Sequence, residues 1–440
     1  MDTPDGSQLR PVLGPKLLYV LVVGDVLGAG IYVLVGRVAG HVGGLAWVAF
    51  GLAFLAVGAT AASYSELVTA HPGAAGSALY VQRAFRQPPL TFVVGLIIIA
   101  SGLATAATTA RAAAGDYLDE IVSVATIPTV VAIVAVLIGI GALGLARSAR
   151  ANLSMTLIEI AGLLIVIVAG VALLIDGESS PAEALELTTG EGRSPISAML
   201  TATALAFFAF LGFEDAVHLS EEVKNPEITF PRVMALAVAT TAAVYILVAA
   251  LAVMTVPHDE LSVSDGPLLA IVERGPVPFP PRLFAGVALV AVANTSLLAM
   301  VTASRVIYGM AQSGWFPAWF AKLDRRGQTP YRALLGVGAA VAALAVTGDV
   351  GELAETAVML VLGVLIAVNV AALVLRRRPG PRPFSAPWWA PWFGAISCAI
   401  VLGQQLLTAP GGRLLRAGVL IAVGVALRPL AAVGRAPATT

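Results

Sequence analysis

The sequence predicts an all-α integral membrane protein of about twelve transmembrane helices. Two observations carry this. Of its 440 residues 58% are hydrophobic and only 12% are charged, about half the charge of a soluble domain. Apolar runs of about 20 residues also recur along the whole chain, each long enough to cross a hydrocarbon core about 30 Å thick. The alternating pattern of a membrane β-barrel is absent.

Taken in order, the expected spans are residues 17–39, 45–70, 90–114, 126–145, 154–175, 196–220, 233–256, 283–309, 333–347, 354–375, 388–408 and 414–432. Even-numbered spans return the chain to the side of its N-terminus. Of the 26 Lys and Arg residues, 19 fall on that side; they include Arg83, Arg86, the run Arg376, Arg377 and Arg378, and Arg382. The other side holds Arg37, Arg111, Arg193, Arg274, Arg282, Arg413 and Arg416. An excess of basic residues marks the cytoplasmic side. Both termini, residues 1–16 and 433–440, are therefore expected there, with the protein in the cytoplasmic (inner) membrane. The first apolar run continues past signal-peptide length.

Composition narrows the function classes. A single cysteine, Cys398, excludes an intrachain disulfide framework. His41, His71, His218 and His258 are too far apart to form a metal motif. The net charge is zero, which gives no general attraction to nucleic acid. No nucleotide-binding loop or paired nucleophile and base points to an enzyme or a cofactor. A channel would require charged rings or repeated filter loops, and the spans have neither.

The first span contains "GDVLGAGIYVLVG", residues 24–36. Gly24 and Gly28 have the small-xxx-small spacing of packed helices. Gly30 follows Gly28 by roughly 200° around a helix, so one packing face does not use both. Paired glycines tolerate non-helical backbone and suit a break. At membrane depth such a break survives where it lines a protein cavity, and the N–H groups opening the second half-helix then suit a carboxylate. Five spans later "TALAFFAFLGFEDAVHLSEEVKNPEITFPR", residues 203–232, is aromatic, rich in small residues and contains Gly212. Interrupted helices at matching positions of two inverted five-span halves point to a transporter's substrate site.

The residues carry a family resemblance. "GAGIYVLVG", "HPGAAGSALYVQRAF", "FFAFLGFEDA" with "EEVKNP", and "ASRVIYGMAQSGWFP" occur in that order. With these motifs the chain resembles the amino acid–polyamine–organocation transporter superfamily, near its bacterial amino acid permeases and cationic amino acid transporters. The resemblance implies a LeuT-type fold. Residues 17–175 form one five-helix repeat and 196–375 its inverted counterpart, with spans one and six interrupted and 388–432 as two peripheral helices. It implies secondary active transport of an amino acid by alternating access. By motif position Gly28 opens the notch, the substrate carboxylate meets backbone N–H groups at Ala29, Gly30 and Ile31, and its ammonium meets carbonyls around Phe208, Ala209 and Leu211. Phe208 takes the family's aromatic gate position, whereas packing is the simpler reading of Phe207, Phe210 and Phe213. Ser101, Thr105, Asn294, Thr295 and Ser296 are pocket candidates, with interhelical hydrogen bonding as the competing role.

Acidic residues inside spans are costly and are functional candidates by default. Asp25 lies about 12 Å into span one and Glu159 about 8 Å into span five from the same side, at 1.5 Å per residue. In the family fold these spans touch near the sodium position of sodium-coupled relatives. Several relatives carry a lysine there, but this chain reads "NLSMTLIE" and has Glu159 instead, which leaves the lysine mechanism without its cation. Two carboxylates in a poorly hydrated site repel each other, and a proton or small cation relieves the repulsion. Glu159 is thus the expected coupling residue with Asp25 as its partner, a proton as the ion and sodium as the alternative; a structural role for Glu159 is equally open. Glu214, in "GFE", is the third coupling candidate. Asp215, Glu221, Glu222 and Lys224 read as interfacial or loop charge. A polyamine or amine carrier, an exchanger and a non-transporting sensor of the same fold remain alternatives.

Overall fold

The computed structural model describes residues 13–71, 76–142, 145–177, 179–189, 194–217, 223–276, 279–323 and 329–429, with the backbone alone over 145–152. His218, Glu221, Glu222, Arg193 and the expected tail 433–440 lie outside the described residues, as does most of the expected N-terminal segment 1–16.

Among the described residues the chain is helical and has no sheet, only isolated bridge pairs at Leu13–Val223 and Gly43–Leu187. The first half runs α1 (Pro15–Val26), α2 (Ala29–Val42), α3 (Ala46–Ala70), α4 (Gly76–Phe85), α5 (Pro88–Ala113), the single turn α6 (Asp116–Asp119), α7 (Thr126–Gly141) and α8 (Leu145–Ile175). The second runs α9 (Pro195–Phe208), α10 (Pro226–Thr255), the short α11 (His258–Val263) and α12 (Pro267–Arg274), α13 (Pro281–Gln312), α14 (Tyr331–Ala345) and α15 (Val350–Arg376). α16 (Ala390–Thr408) and α17 (Gly411–Leu427) follow. Proline opens α1, α5, α9, α10, α12 and α13, where its missing N–H would have had no intrahelical partner.

Among the described residues seven helices are long and apolar enough to cross a membrane, or eight if the bent pair α1–α2 is one span. The protein is a multi-pass membrane protein. The expected spans at 126–145, 196–220, 333–347 and 414–432 correspond to helices of 16, 14, 15 and 17 residues, shorter than the roughly 20 residues of a full crossing. For α9 the cause is visible: the helix stops at Phe208 and residues 209–214 run on as turns.

Both interruptions are real features of the chain. α1 and α2 meet at a 40° bend, with Gly28 extended at φ −72°, ψ −156°. After α9, Gly212 has φ +115°, a conformation that only glycine adopts without strain.

Polar ties hold the bundle around these breaks. α10 packs on α3, and α13 and α15 pack on α5. Within α15, the fully buried Asn369 donates to Thr60 Oγ1 at 3.0 Å and accepts from Ser63 at 2.7 Å, joining α15 to α3. Glu66 of α3 takes a bidentate pair from Arg376 of α15 at 2.8 and 2.5 Å. α17 is pinned to α15 by Arg416–Glu352 at 2.9 Å and by the buried pair Arg413–Glu355, and Arg413 also donates to Gln405 of α16.

The Arg413 and Glu355 side chains are only 7% and 9% exposed, so removing one partner strands a buried charge, at a cost of about 3–5 kcal/mol. Glu355→Ala is expected to lower the melting temperature in detergent markedly. Glu260→Ala, at the surface pair with Arg274 where the side chains are 50% and 36% exposed, is expected to leave it within about 1 kcal/mol of wild type. Equal melting curves for the two variants would contradict this account of how α17 is held.

Candidate functional site

The two breaks abut. A Cβ on Gly30 would lie 2.2 Å from Ala209 Cα, and one on Gly212 would lie 2.8 Å from the Asp25 carbonyl oxygen. A Cβ on Gly28 would lie 2.3 Å from Thr295 Oγ1, and one on Gly24 would lie 2.4 Å from Thr156 of α8. The glycines therefore do serve packing, on different faces against different elements. This agrees with the expectation that one packing face does not use both Gly28 and Gly30: Gly28 faces α13 while Gly30 faces the second break.

A cavity of about 90 Å³ opens where the breaks meet. Its lining includes Gly28, Ala29 and Gly30 from the first break and Phe208, Ala209, Leu211 and Gly212 from the second. Ser101 and Thr105 of α5 and Thr295 of α13 also line it. So do three carboxylates, Asp25, Glu214 and Asp215, and no Lys, Arg or His does among the described residues. Phe208 is 3% exposed. Phe207, Phe210 and Phe213 are fully buried away from the cavity, Phe210 against Tyr245 with centroids 5.2 Å apart and Phe213 against Tyr64 at 5.7 Å.

Three expected residues do not line it. Ile31 is fully buried one residue beyond the cavity rim. Asn294 turns the other way and its Nδ2 donates to Glu159 Oε1 at 3.2 Å. Ser296 likewise donates to the Ala106 carbonyl at 3.1 Å. Successive residues of a helix point about 100° apart, so of this trio only Thr295 faces inward.

Several backbone groups at the breaks have partners. The Ala29 N–H, first of the second half-helix, donates to Thr295 Oγ1 at 2.8 Å. The Gly212 N–H donates to Glu214 Oε2 at 3.1 Å. Phe208 and Ala209, whose carbonyls the family resemblance assigns to an ammonium, are already engaged. Leu211 N–H donates to the Phe208 oxygen at 3.1 Å, and the Tyr245 hydroxyl lies 3.0 Å from the Ala209 oxygen and 2.5 Å from the Val26 oxygen. One phenol of α10 thus bridges both broken helices. Sequence reasoning missed Tyr245, although a tyrosine amid the apolar run "TTAAVYILVAA" needs a partner for its hydroxyl.

Glu159 is fully buried beside this region. Asp25 lies within electrostatic reach of it, and Glu214 and Asp215 lie within reach of Asp25. Glu159 Oε2 and Asn294 Oδ1 are both buried acceptors without a donor. Asp25 itself is half-buried.

The fold is that of a helical integral membrane protein with an acidic cavity where two interrupted helices meet. Comparison with known proteins narrows it. Residues 13–424 match the family described as "Amino acid permease", and the chain belongs to that family, a family of permeases and not of enzymes. It is 30% identical over 423 residues to an uncharacterized transporter of Mycobacterium tuberculosis, covering 95% of this chain and 91% of that one. It is 28% identical over 399 residues to the vacuolar cationic amino acid transporter 2 of Arabidopsis thaliana and 28% over 413 residues to cationic amino acid transporter 4 of Homo sapiens. The alignments cover 85% and 87% of this chain, but only 61% and 62% of those longer proteins.

Tyr245→Phe removes only the bridging hydroxyl and leaves the Val26 and Ala209 carbonyls buried without it. Such loss costs about 1–3 kcal/mol. The variant is expected to fold with a lowered melting temperature and weakened substrate binding, measured by thermal denaturation and equilibrium binding on the same preparation. Wild-type values for both would remove Tyr245 from the site.

Proposed function

We propose that the chain is a secondary transporter for an amino acid with a cationic side chain, working by alternating access in a LeuT-type arrangement. In this reading twelve spans cross the cytoplasmic membrane, residues 17–175 and 196–375 are inverted repeats, and 388–432 are peripheral. The observation that carries it is the meeting of two helix breaks around one cavity lined, among the described residues, by three carboxylates and no basic residue. Backbone donors at Gly28–Gly30 suit a carboxylate, which an amino acid has and a polyamine lacks. Asp25, Glu214 and Asp215 suit cationic groups, and the names of the plant and human relatives agree. On binding, the substrate carboxylate takes the place of Thr295 Oγ1 at the Ala29 N–H. Phe208 covers the bound substrate, and the cavity excludes water as it closes.

Coupling in this reading resides at Glu159 and Asp25. Two buried acceptors side by side without donors are expensive. A proton on Glu159 supplies the missing donor, and a small cation would serve the same oxygens. Either one biases the packing of α1 against α8, and the substrate biases the same equilibrium, which is what links the two gradients. The orientation, with both termini cytoplasmic, follows the basic excess of the even-numbered returns.

Proteoliposome uptake of radiolabelled arginine, lysine, alanine, glutamate and putrescine, with and without pH and sodium gradients, tests the substrate class. Arginine and lysine are expected to be accumulated. Asp25→Asn is expected to reduce arginine uptake at least about tenfold more than any residual alanine uptake, the equivalent of about 1.4 kcal/mol of charge interaction. A panel in which neutral amino acids are preferred by wild type would sink the cationic assignment.

Glu159→Gln mimics the protonated acid. Its uptake is expected to lose dependence on the proton gradient while exchange of internal for external substrate continues. Accumulation with wild-type pH dependence in this variant would make Glu159 structural and leave Glu214 as the coupling candidate.

A further inference from the structure

A second cavity, of about 260 Å³, lies at the other end of α3 and α15 from the buried Arg413–Glu355 pair. Five arginines line it: Arg83, Arg86, Arg376, Arg378 and Arg382. Glu66 is the one carboxylate among its lining residues, and Arg376 already holds both of its oxygens.

The other four arginines have no carboxylate within 4.0 Å among the described residues. Two of them organise the chain instead. Arg378 donates to the carbonyls of Arg83 and Ala84 at 2.6 Å, closing the C-terminal end of α4, and Arg382 donates to the Arg378 carbonyl at 3.0 Å. Arg83 donates to His71 Nδ1 at 2.9 Å. Burial, and then the Arg83 charge, hold the His71 pKa below its ordinary value, so the ring stays neutral and accepts. Arg86 has no side-chain partner among the described residues. It also sits at φ +55° just beyond α4, a left-handed position that costs a non-glycine residue energy and that persists where surrounding structure or function demands it.

The opposite side of the molecule is built differently. Of the six described arginines there, Arg37, Arg274, Arg282, Arg413 and Arg416 each have a carboxylate within 4.0 Å, and Arg111 alone has none among the described residues. The chain as a whole has as many acidic as basic residues, so the four unmatched guanidinium groups around one cavity are a local choice. Like charges held this close need a counter-charge.

The neighbourhood says where that counter-charge resides. Arg376 also donates to the Ala386 and Trp388 carbonyls, at 2.8 and 3.3 Å. The cavity is thereby tied to the start of α16, which carries the exposed aromatics Trp388, Trp389, Trp392 and Phe393; Trp388 is 78% exposed. Exposed tryptophans of this kind sit at the headgroup level of a bilayer. A guanidinium cavity at that level matches the phosphate of an anionic lipid, to which arginine forks donate in pairs.

We propose that this cavity binds the phosphate of an anionic phospholipid headgroup, with Arg83 and Arg86 as its principal donors. The site clamps α4 to the ends of α3 and α15, remote from the acidic cavity. Only the naming of the leaflet as cytoplasmic rests on the orientation proposed above; binding itself is independent of any transport activity.

The test uses the full chain in uncharged detergent, with thermal unfolding followed by its intrinsic fluorescence. Phosphatidylglycerol, phosphatidylcholine and inorganic phosphate are titrated separately. Phosphatidylglycerol is expected to raise the melting temperature of wild type, and phosphatidylcholine and inorganic phosphate are not. Arg86→Gln, which sacrifices no internal hydrogen bond, is expected to move the midpoint of the phosphatidylglycerol titration about tenfold higher, as loss of a charge-assisted hydrogen bond predicts. Arg83→Gln is expected to do the same, whereas Arg282→Gln, at an exposed pair on the opposite side, leaves the midpoint in place. The proposal is overturned if phosphatidylglycerol and phosphatidylcholine act alike or if Arg86→Gln titrates as wild type. It is also overturned if inorganic phosphate alone reproduces the shift, since the ligand is then a soluble anion. Transport is not the readout, so failure of the amino acid assignment leaves this result interpretable, and the reverse holds too.

Discussion

Lipid offers no hydrogen bonds, so a helix that stops at mid-membrane depth must have its freed backbone groups satisfied by protein. That constraint organises this molecule. The chain breaks at Leu27–Gly28 and again after Phe208, and each break is stitched by a side chain from elsewhere: Thr295 takes the Ala29 N–H, Glu214 takes the Gly212 N–H, and Tyr245 reaches carbonyls on both sides. The stitches are few and polar, and they surround the one place where a small polar solute could substitute for them. A site made of backbone groups is also insensitive to side-chain substitution, except where a Cβ would intrude. Gly28, Gly30 and Gly212 are such positions.

Charge falls into three regimes. On one side Arg37, Arg274, Arg282, Arg413 and Arg416 each meet a carboxylate and act as struts, the buried Arg413–Glu355 pair among them. Around the cavity between the breaks the lining carboxylates are Asp25, Glu214 and Asp215, with no Lys, Arg or His lining it among the described residues, and Glu159 lies buried behind it. At the far ends of α3 and α15 Arg83, Arg86, Arg378 and Arg382 have no carboxylate within 4.0 Å among the described residues, while Arg376 holds Glu66. A strut needs its charges paired, because an unpaired buried charge is expensive. Unpaired charge is sustained where a mobile ion, a solute or a headgroup completes it.

The same reasoning separates Glu159 from the cavity acids. Glu159 is fully buried and reaches the site through Asp25 and through Asn294, whose amide it accepts. A group in that position lies between α8 and the first break, outside the cavity lining. α1 and α8 approach closely at Gly24 and Thr156.

How much of this could be read beforehand follows from what each signal depends on. Hydrophobic run length marked the membrane class and the seven or eight long spans among the described residues, because lipid acts on each segment separately. The spacing of Gly28 and Gly30 and the lone Gly212 marked both breaks, because backbone freedom is a local property. The cavity members Ser101, Thr105, Phe208 and Thr295 were legible through the family motifs and the polar positions of apolar spans. What the sequence left open is whatever depends on rotation or on partners distant in the chain. Asn294 and Thr295 are adjacent letters, yet one serves Glu159 and the other the cavity, and only the packing of α13 decides which. Tyr245 is 36 residues from Ala209 and 219 from Val26, so no local pattern could announce the bridge. The arginine cavity gathers residues from α4 and from the segment after α15, nearly 300 positions apart. A linear charge count registers their number, but it takes the folded chain to bring them to one place without their counter-charges.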